Sequence, residues 1–225
     1  MVAKTIRTRN LFNPNAGKHS KLTYSKINLA FNYDNGGLLN TVLYDLCKKH
    51  PTHKSKEEIR AKIILIGRSY AAAIERRKIN RGISGDRFFT NIVVPEIRKS
   101  DIDKWLKSLS ALRRPTPSNA EKILAVHGKV LNLFYKITKM EKRSLASKYL
   151  HFHYPRLFFL YDSRAVRSIR DLTAPLGRAS NLKNNIDKEY GCFYMRCLDL
   201  QRCIKTECGV YMNPRQLDNL LLSRG

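Results

Sequence analysis

Asp162 is the residue whose type and position most clearly permit chemistry. It follows the apolar stretch Leu157 to Tyr161 and precedes SRAVRSIR, a segment that predicts a basic helix with Asp162 at its N-cap. A capping carboxylate accepts backbone N–H bonds at the positive end of the helix dipole, and both effects favour its charged form. It can therefore stay ionised in a cleft lined by Phe158, Phe159 and Tyr161. Such a charge can stabilise a sugar cation formed as a base departs, or activate an attacking water.

Ser144 and the segments around it complete a pattern with Asp162. Ser144 lies 18 residues earlier, within the sequence RSLA, while FLYD at 159–162 leads into the carboxylate and Val166 and Arg167 follow it. This pattern resembles the helix-hairpin-helix DNA glycosylase superfamily, in which a catalytic Asp at an N-cap follows the nucleophile position at about this spacing. RSLA is similar to the RSTA stretch of the adenine glycosylase branch, where Ser replaces the Lys of strand-cleaving members. The resemblance covers about 30 residues well.

The resemblance implies a monofunctional DNA glycosylase with Asp162 as catalytic carboxylate and Ser144 at the nucleophile position. Water then attacks the sugar and leaves an intact abasic strand. Lys148 is the rival to Ser144, because it lies one helical turn further along the same face. A Lys desolvated near an Asp can form an imine with the sugar and give strand cleavage. Otherwise Lys148 is a phosphate contact.

Two features depart from the family pattern. The family hairpin is Leu-Pro-Gly-Val-Gly, and the matching segment here, ITKMEK at 137–142, has no glycine. The hairpin is then absent or remade, with Lys139 and Lys142 contacting phosphate. The iron–sulfur members of the family use a C-x6-C-x2-C-x5-C loop, whereas the late cysteines here have the spacing C-x4-C-x5-C-x4-C. We therefore expect no metal and no cofactor, with these cysteines acting as small buried hydrophobes.

Basic residues predict where a nucleic-acid backbone would bind. The chain has 43 Lys and Arg against 18 Asp and Glu, a formal net charge of +25, which favours a polyanionic partner. One group flanks Asp162 and a second surrounds a glycine loop. The first group is Lys139, Lys142, Arg143, Arg164, Arg167 and Arg170. The second is Arg76, Arg77, Lys78, Arg81 and Arg87.

Aromatic side chains could stack on a base that has left the duplex, since chemistry on a base cannot occur inside the helical stack. The same residue types are more often core. The expected base-pocket residues are Phe88, Phe89, Tyr149, Phe152 and Tyr161.

The elements that must position these side chains are helical. Apolar residues recur at helical spacing from Ser55 to about Lys78, Ser118 is the expected N-cap of a long helix, and helices are expected at 143–153, from Asp162 and over 181–208. Residues 1–36 are polar and turn-rich and predict an N-terminal arm or a loosely packed cap. Residues 37–225 predict an all-α body, a two-lobed helical bundle with a cleft between the lobes.

Composition narrows the functional class. The hydrophobic fraction of 43% suffices for a packed core. No apolar run is long enough to cross a membrane and the first residues do not form a signal peptide, so we expect a cytoplasmic, monomeric protein bound to double-stranded DNA with a modified base. The base is left open among oxidised purines, alkylated bases, mispaired adenine and the hypermodified cytosines of phage genomes. The alternatives are a non-catalytic nucleic-acid-binding module with a glycosylase-like fold and a metal-stabilised interaction protein built on the cysteine helix.

Overall fold

The computed structural model describes residues 22–33, 37–76, 85–173 and 186–223. Within these ranges the protein is all-helical, as predicted, and contains no strand. A π-helical turn over Phe89–Val93 links α4 to α5. The helices are α1 (Tyr24–Asn32), α2 (Gly37–Lys49), α3 (Lys56–Ser69), α4 (Gly85–Phe88), α5 (Val94–Lys99), α6 (Ile102–Lys107), α7 (Pro117–Thr138), α8 (Arg143–His153), α9 (Ser163–Leu172), α10 (Lys188–Cys208) and α11 (Pro214–Leu222).

Helix α8 lies at the centre of the packing. It contacts α2, α3 and α7, while α9 packs on α10 and α11. One cluster of buried apolar side chains takes members from every helix. In the described ranges no helix is long and apolar enough to span a bilayer.

The start of α7 differs from the prediction by two residues. Thr116, and not Ser118, is the N-cap, because its side chain accepts a hydrogen bond from the Asn119 backbone N–H while the Asn119 side chain accepts one from the Thr116 backbone N–H. Pro117 then takes the first helical position, where its missing N–H costs nothing. The reciprocal pair satisfies two backbone donors that a lone Ser118 cap would leave open.

A tight turn joins α7 to α8 at the segment that lacks the family's glycines. Lys139 ends α7 in the left-handed conformation, with φ of 56° and ψ of 27°. Thr138 supports the turn, because its Oγ1 donates to the Phe134 carbonyl at 2.8 Å and accepts from the Met140 N–H at 3.2 Å. A lysine thus occupies a conformation that usually favours glycine.

Part of the expected N-terminal arm is a packed helix. Thr23 caps α1, and Ile27 and Ala30 are buried against α11. Asn219 of α11 donates through Nδ2 to the carbonyls of Ala30 at 3.3 Å and Tyr33 at 2.6 Å. Within the predicted N-terminal segment, the described residues 24–32 thus form a helix whose short apolar pattern is stabilised by tertiary contacts with α11.

Candidate active site

The connector before Asp162 is fixed by side chains of α8. Its residues 157–161 are buried without belonging to a helix, so their backbone groups need partners. The Tyr161 N–H donates to Ser147 Oγ at 3.0 Å. His151 donates through Nδ1 to the Phe158 carbonyl at 2.8 Å, since a carbonyl can only accept.

Helix α10 fixes the same connector from the other side. Tyr190 Oη donates to the Phe159 carbonyl at 2.9 Å, and Tyr194 Oη donates to the Leu157 carbonyl at 3.1 Å. Both tyrosines are fully buried. The backbone that precedes Asp162 is therefore fixed by hydrogen bonds to side chains of both α8 and α10.

Asp162 is the N-cap of α9, as predicted. Its Oδ1 accepts a hydrogen bond from the Ala165 backbone N–H at 2.9 Å. Its side chain is 29% exposed, so the carboxylate is neither sealed in the core nor fully hydrated. The cap orients one oxygen into the helix and leaves the other, Oδ2, facing α8.

Lys148 is the group that Asp162 faces. Its Nζ lies 3.6 Å from Asp162 Oδ2, and its side chain is only 5% exposed. The amine also donates to Ser144 Oγ at 3.0 Å and to the Tyr70 carbonyl at 3.2 Å. Burial lowers the pKa of Lys148, and the nearby carboxylates of Asp162 and Asp218 oppose that shift.

Lys148 and Asp162 share the wall of a small pocket of about 150 Å³. This volume is below the roughly 300 Å³ at which pockets accept drug-sized ligands, so the pocket suits a single ring or sugar. Ser144 is not among the described residues that line it, and its Oγ accepts a hydrogen bond from the Lys148 amine of the pocket wall. The lining residues are Leu39, Asn40, Ser69, Tyr70, Lys148, Leu160, Asp162, Asp218 and Leu222.

Asp218 and Arg215 belong to this site, and the sequence analysis missed both. Arg215 Nη1 donates to Asp218 Oδ2 at 3.2 Å, and Asp218 is 4% exposed. Burial raises the pKa of Asp218 to about 6, against the opposing attraction of Arg215. Their i, i+3 spacing among the leucines of α11 was the available signal, because charged residues on an apolar face are buried in pairs.

Arg215 is held in place by aromatic rings. Its guanidinium lies 5.9 Å from the ring centre of Tyr44, 5.5 Å from that of Tyr70 and 5.7 Å from that of Phe152. Its Nε donates to Tyr44 Oη at 3.0 Å. The charge of Arg215 thus stays next to Asp218.

The expected base-pocket aromatics do not line this pocket. All five are buried, the most exposed at 8%, because each packs in the core. Phe152 borders a separate groove of about 600 Å³ between α2, α6 and the end of α8, and Tyr161 borders one of about 360 Å³ beside α10. The residues concerned are Phe88, Phe89, Tyr149, Phe152 and Tyr161.

Arg143 does not have the exposed charge expected of a phosphate contact. Its guanidinium pairs with three carboxylates, Asp187 at 2.5 Å and both Glu141 and Glu189 at 2.9 Å. Its side chain is 14% exposed and lies over the Tyr161 ring. This charge is neutralised within the protein and ties α8 to the start of α10.

The other predicted basic residues differ in position. Arg164, Arg167 and Arg170 are exposed on α9, and Arg164 Nη2 donates at 3.3 Å to the carbonyl of Leu222, a residue of the pocket wall. Lys142 donates from Nζ to the Arg76 carbonyl. Lys139 of the first predicted group and Arg76 and Arg87 of the second are also exposed. The remaining members of the second group, Arg77, Lys78 and Arg81, lie outside the described residues.

The four late cysteines lie along α10. Cys197 and Cys203 are buried, and Cys192 and Cys208 are partly exposed. The described part of the chain holds no group of three or more His, Cys, Asp or Glu side chains placed to bind a metal ion.

Comparisons with protein-family models, with curated proteins and with solved structures found no match to this chain. The class of protein is therefore defined by its structure alone. The described residues form an all-α protein in which a buried lysine and two carboxylates line one small pocket.

Proposed function

We propose that this protein is a DNA glycosylase that cleaves the N-glycosidic bond of a damaged or modified base. The observation that carries the proposal is the contact of the Lys148 amine with the Asp162 carboxylate, 3.6 Å apart in the wall of a ring-sized pocket. Burying two charged groups costs free energy, and structural pairs of this kind gain little over apolar packing. A buried lysine that pairs with a carboxylate in the wall of a pocket is therefore better explained by a chemical role.

Asp162 supplies negative charge where the sugar becomes positive. As the bond from C1′ to the base nitrogen breaks, its electron pair leaves with the base and the sugar acquires oxocarbenium character. A carboxylate already oriented by the α9 N-cap stabilises that charge without reorganising.

The geometry favours attack on the sugar by Lys148 over the attack by water that is expected when Ser144 occupies the nucleophile position. The 18-residue spacing selects Ser144, but Lys148 faces Asp162 and lines the pocket, while Ser144 accepts a hydrogen bond from the Lys148 amine. Burial lowers the pKa of Lys148 and so increases the neutral, nucleophilic fraction. Its attack on C1′ would expel the base with the electron pair of the C1′–N bond. Cleavage of the C1′–O4′ bond and loss of the amine protons would then convert the adduct into an imine. Removal of a C2′ proton from the imine would expel the 3′ phosphate by β-elimination and so cleave the strand.

The charge distribution supports DNA as the substrate. The net charge is +25, and three arginines of α9 are exposed immediately after the catalytic carboxylate. Arg164 contacts the rim of the pocket itself. Phosphates bound along α9 would set the register of the duplex while one nucleotide enters the pocket.

The test is base release from duplex oligonucleotides that each carry one modified base, covering oxidised, alkylated, mispaired and hypermodified bases. We expect release of at least one base by the wild-type protein. Borohydride added during the reaction should trap a covalent protein–DNA adduct that is absent with Lys148→Met. Base release without an adduct, and with strand breaks only after alkali, would instead restore the monofunctional route expected from Ser144.

A non-catalytic DNA-binding module is the second candidate, and the glycine-free α7–α8 turn favours it. In that case duplexes bind with salt-sensitive affinity, yet no base in the panel is released at any enzyme concentration. Such a result would overturn the glycosylase proposal while leaving the DNA partner intact.

A further inference from the structure

Asp218 presents an oxygen that nothing in the described protein satisfies. Its Oδ2 accepts from Arg215, whereas Oδ1 is buried and has no hydrogen-bond partner among the described residues. Asp218 lies in the pocket wall, and Arg215 is not among the residues that line it. A buried acceptor without a donor is costly and rare in folded proteins, so a group that satisfies it is expected to bind there.

Burial has the largest effect on the protonation of the Asp218 carboxyl, since it raises the pKa, and four charged groups modify this effect. Arg215 of its own helix, Lys148 of α8 and Arg164 of α9 favour its charged form, while Asp162 at the start of α9 disfavours it. Although burial raises its pKa to about 6, its ion pair with Arg215 at 3.2 Å favours the carboxylate, which is an acceptor only. The Oδ1 atom of Asp218 can therefore bind only a ligand group that donates a hydrogen bond.

We propose that Asp218 Oδ1 is the specificity-determining acceptor of the pocket and binds an N–H group on the edge of an extruded heterocyclic base. The inference rests on the proposed function and narrows its substrate class to bases with an amino or imino hydrogen at that edge. Arg215 acts as the positioning residue, because the three aromatic rings around it fix the guanidinium that holds Oδ2.

Substitution by Asn should reverse the base preference. In Asp218→Asn the amide oxygen can keep the hydrogen bond from Arg215, so the NH2 group takes the place of the free Oδ1. The pocket then offers a donor where the wild type offers an acceptor. Asp171→Asn, an exposed residue of α9, is the control for the change in charge.

The experiment uses pairs of bases in which one member lacks an amino or imino N–H group that the other has: adenine and purine, cytosine and 2-pyrimidinone, uracil and 3-methyluracil, and 8-oxoguanine and guanine. Each is presented in a duplex to measure excision and, separately, as the free base to measure binding by protein NMR, both near neutral pH. Removal of the N–H that Asp218 binds should weaken wild-type binding and excision about 10- to 100-fold, the usual effect of an unpaired buried polar group. In Asp218→Asn that preference should vanish or invert, while Asp171→Asn keeps it.

The two readouts separate this inference from the proposed function. If free bases bind with the stated preference but no duplex releases a base, the Asp218 assignment stands and the glycosylase proposal fails. Excision by the wild type with the same pairwise preferences in Asp218→Asn would overturn the assignment alone. If no member of any pair binds or is excised, the Asp218 assignment is wrong, and the glycosylase proposal is also wrong if the wider panel of modified bases gives no release.

Discussion

Buried histidines make the free energy of unfolding depend on pH at the scale of single residues. His53 donates through Nδ1 to Asp103 at 2.6 Å and accepts at Nε2 from Tyr149 Oη at 2.7 Å, so the ring is neutral. Burial, the largest cause, lowers the pKa of His53 to about 4, and burial likewise lowers that of His127 to about 3. The unfolded chain therefore binds protons that the folded protein excludes.

The sign of the pH effect follows from linkage. Stability is complete above the unfolded histidine pKa of about 6.5 and falls as pH decreases towards 4, because the unfolded state binds more protons in that window. We expect His53 alone to account for about 2 to 3 kcal/mol of the decrease near pH 4.5. Asp218 acts oppositely between about pH 4 and 6, since a raised carboxyl pKa lowers stability as pH rises.

Urea unfolding of the wild type and of His53→Gln at several pH values isolates the His53 contribution. The variant should show a pH dependence shallower by the amount above, whatever its absolute stability. Parallel curves for the two proteins would mean that His53 titrates normally in the folded state.

At the scale of elements, hydrogen bonds from α8 and α10 fix the buried connector, residues 157–161, that precedes Asp162. A longer chain of hydrogen bonds links the connector to α2 and α11. A hydrogen-bond chain runs from Arg215 Nε to Tyr44 Oη at 3.0 Å, from Tyr44 Oη to His151 Nε2 at 2.7 Å and on to the Phe158 carbonyl. Helix α11 is thus coupled to the connector through α2 and α8. Its Asp218 and the Asp162 that follows the connector meet at the same pocket.

Ser147→Ala tests the role of this connector. The substitution removes the acceptor of the buried Tyr161 N–H, which should cost about 1 to 3 kcal/mol of unfolding free energy. Displacement of Asp162 should lower the rate of base release by about 10- to 100-fold. DNA affinity should stay unchanged, since Ser147 is fully buried.

The exposed Ser110 provides the control, because Ser110→Ala should change stability by no more than about 0.5 kcal/mol. Base release by Ser147→Ala at the wild-type rate would show that the connector does not position Asp162.

Local signals explain which elements the sequence could predict. The Asp162 and Asn213 caps, the end of α8 before Pro155 and the end of α10 at Gly209 follow from capping residues and breakers a few positions apart. The start of α8 at Arg143 has no capping side chain. Helix α3 ends at Ser69, earlier than the apolar pattern suggests, and the pattern continues into turns that bury Ala73 and Ile74. The spacing of apolar residues cannot distinguish a longer helix from a helix followed by buried turns, because both place apolar residues in the core.

The candidate site was predictable only in its α8 and α9 parts. Asp162 and Lys148 lie within one segment of sequence, so spacing was enough to propose them. Asp218 and Tyr70 reach the same pocket from α11 and the end of α3, and no local pattern predicts such a contact. Arg143 resembled a phosphate ligand because its partners Asp187 and Glu189 lie more than forty residues away.

At the scale of the whole molecule, the net charge of +25 predicts strong electrostatic binding to DNA. The logarithm of the affinity should fall linearly with the logarithm of salt concentration, with a slope of several units. Replacing Arg164, Arg167 and Arg170 by Gln should reduce that slope by about one unit for each phosphate that these side chains neutralise in the wild type.

A control triple variant, Arg113→Gln, Arg114→Gln and Lys122→Gln, removes the same charge from the start of α7 and the loop before it. Its slope should stay close to that of the wild type. Equal reductions in both triple variants would mean that α9 does not form the binding face, and a flat response of the wild type would remove DNA as the partner.

Asp162→Asn tests the central claim most directly. Asparagine is as good an N-cap as aspartate, so the variant keeps α9 and the fold but removes the charge that the sugar cation needs. In single-turnover base release from the duplex that the wild type cleaves best, we predict a rate about 10² to 10³ lower, with DNA affinity and the helical fold preserved. The free energy of unfolding should decrease, because the buried Lys148 amine loses its ion pair. Asp171→Asn, with the same change in charge on the same helix, should match the wild type. Base release by Asp162→Asn within a few-fold of the wild-type rate would contradict the account.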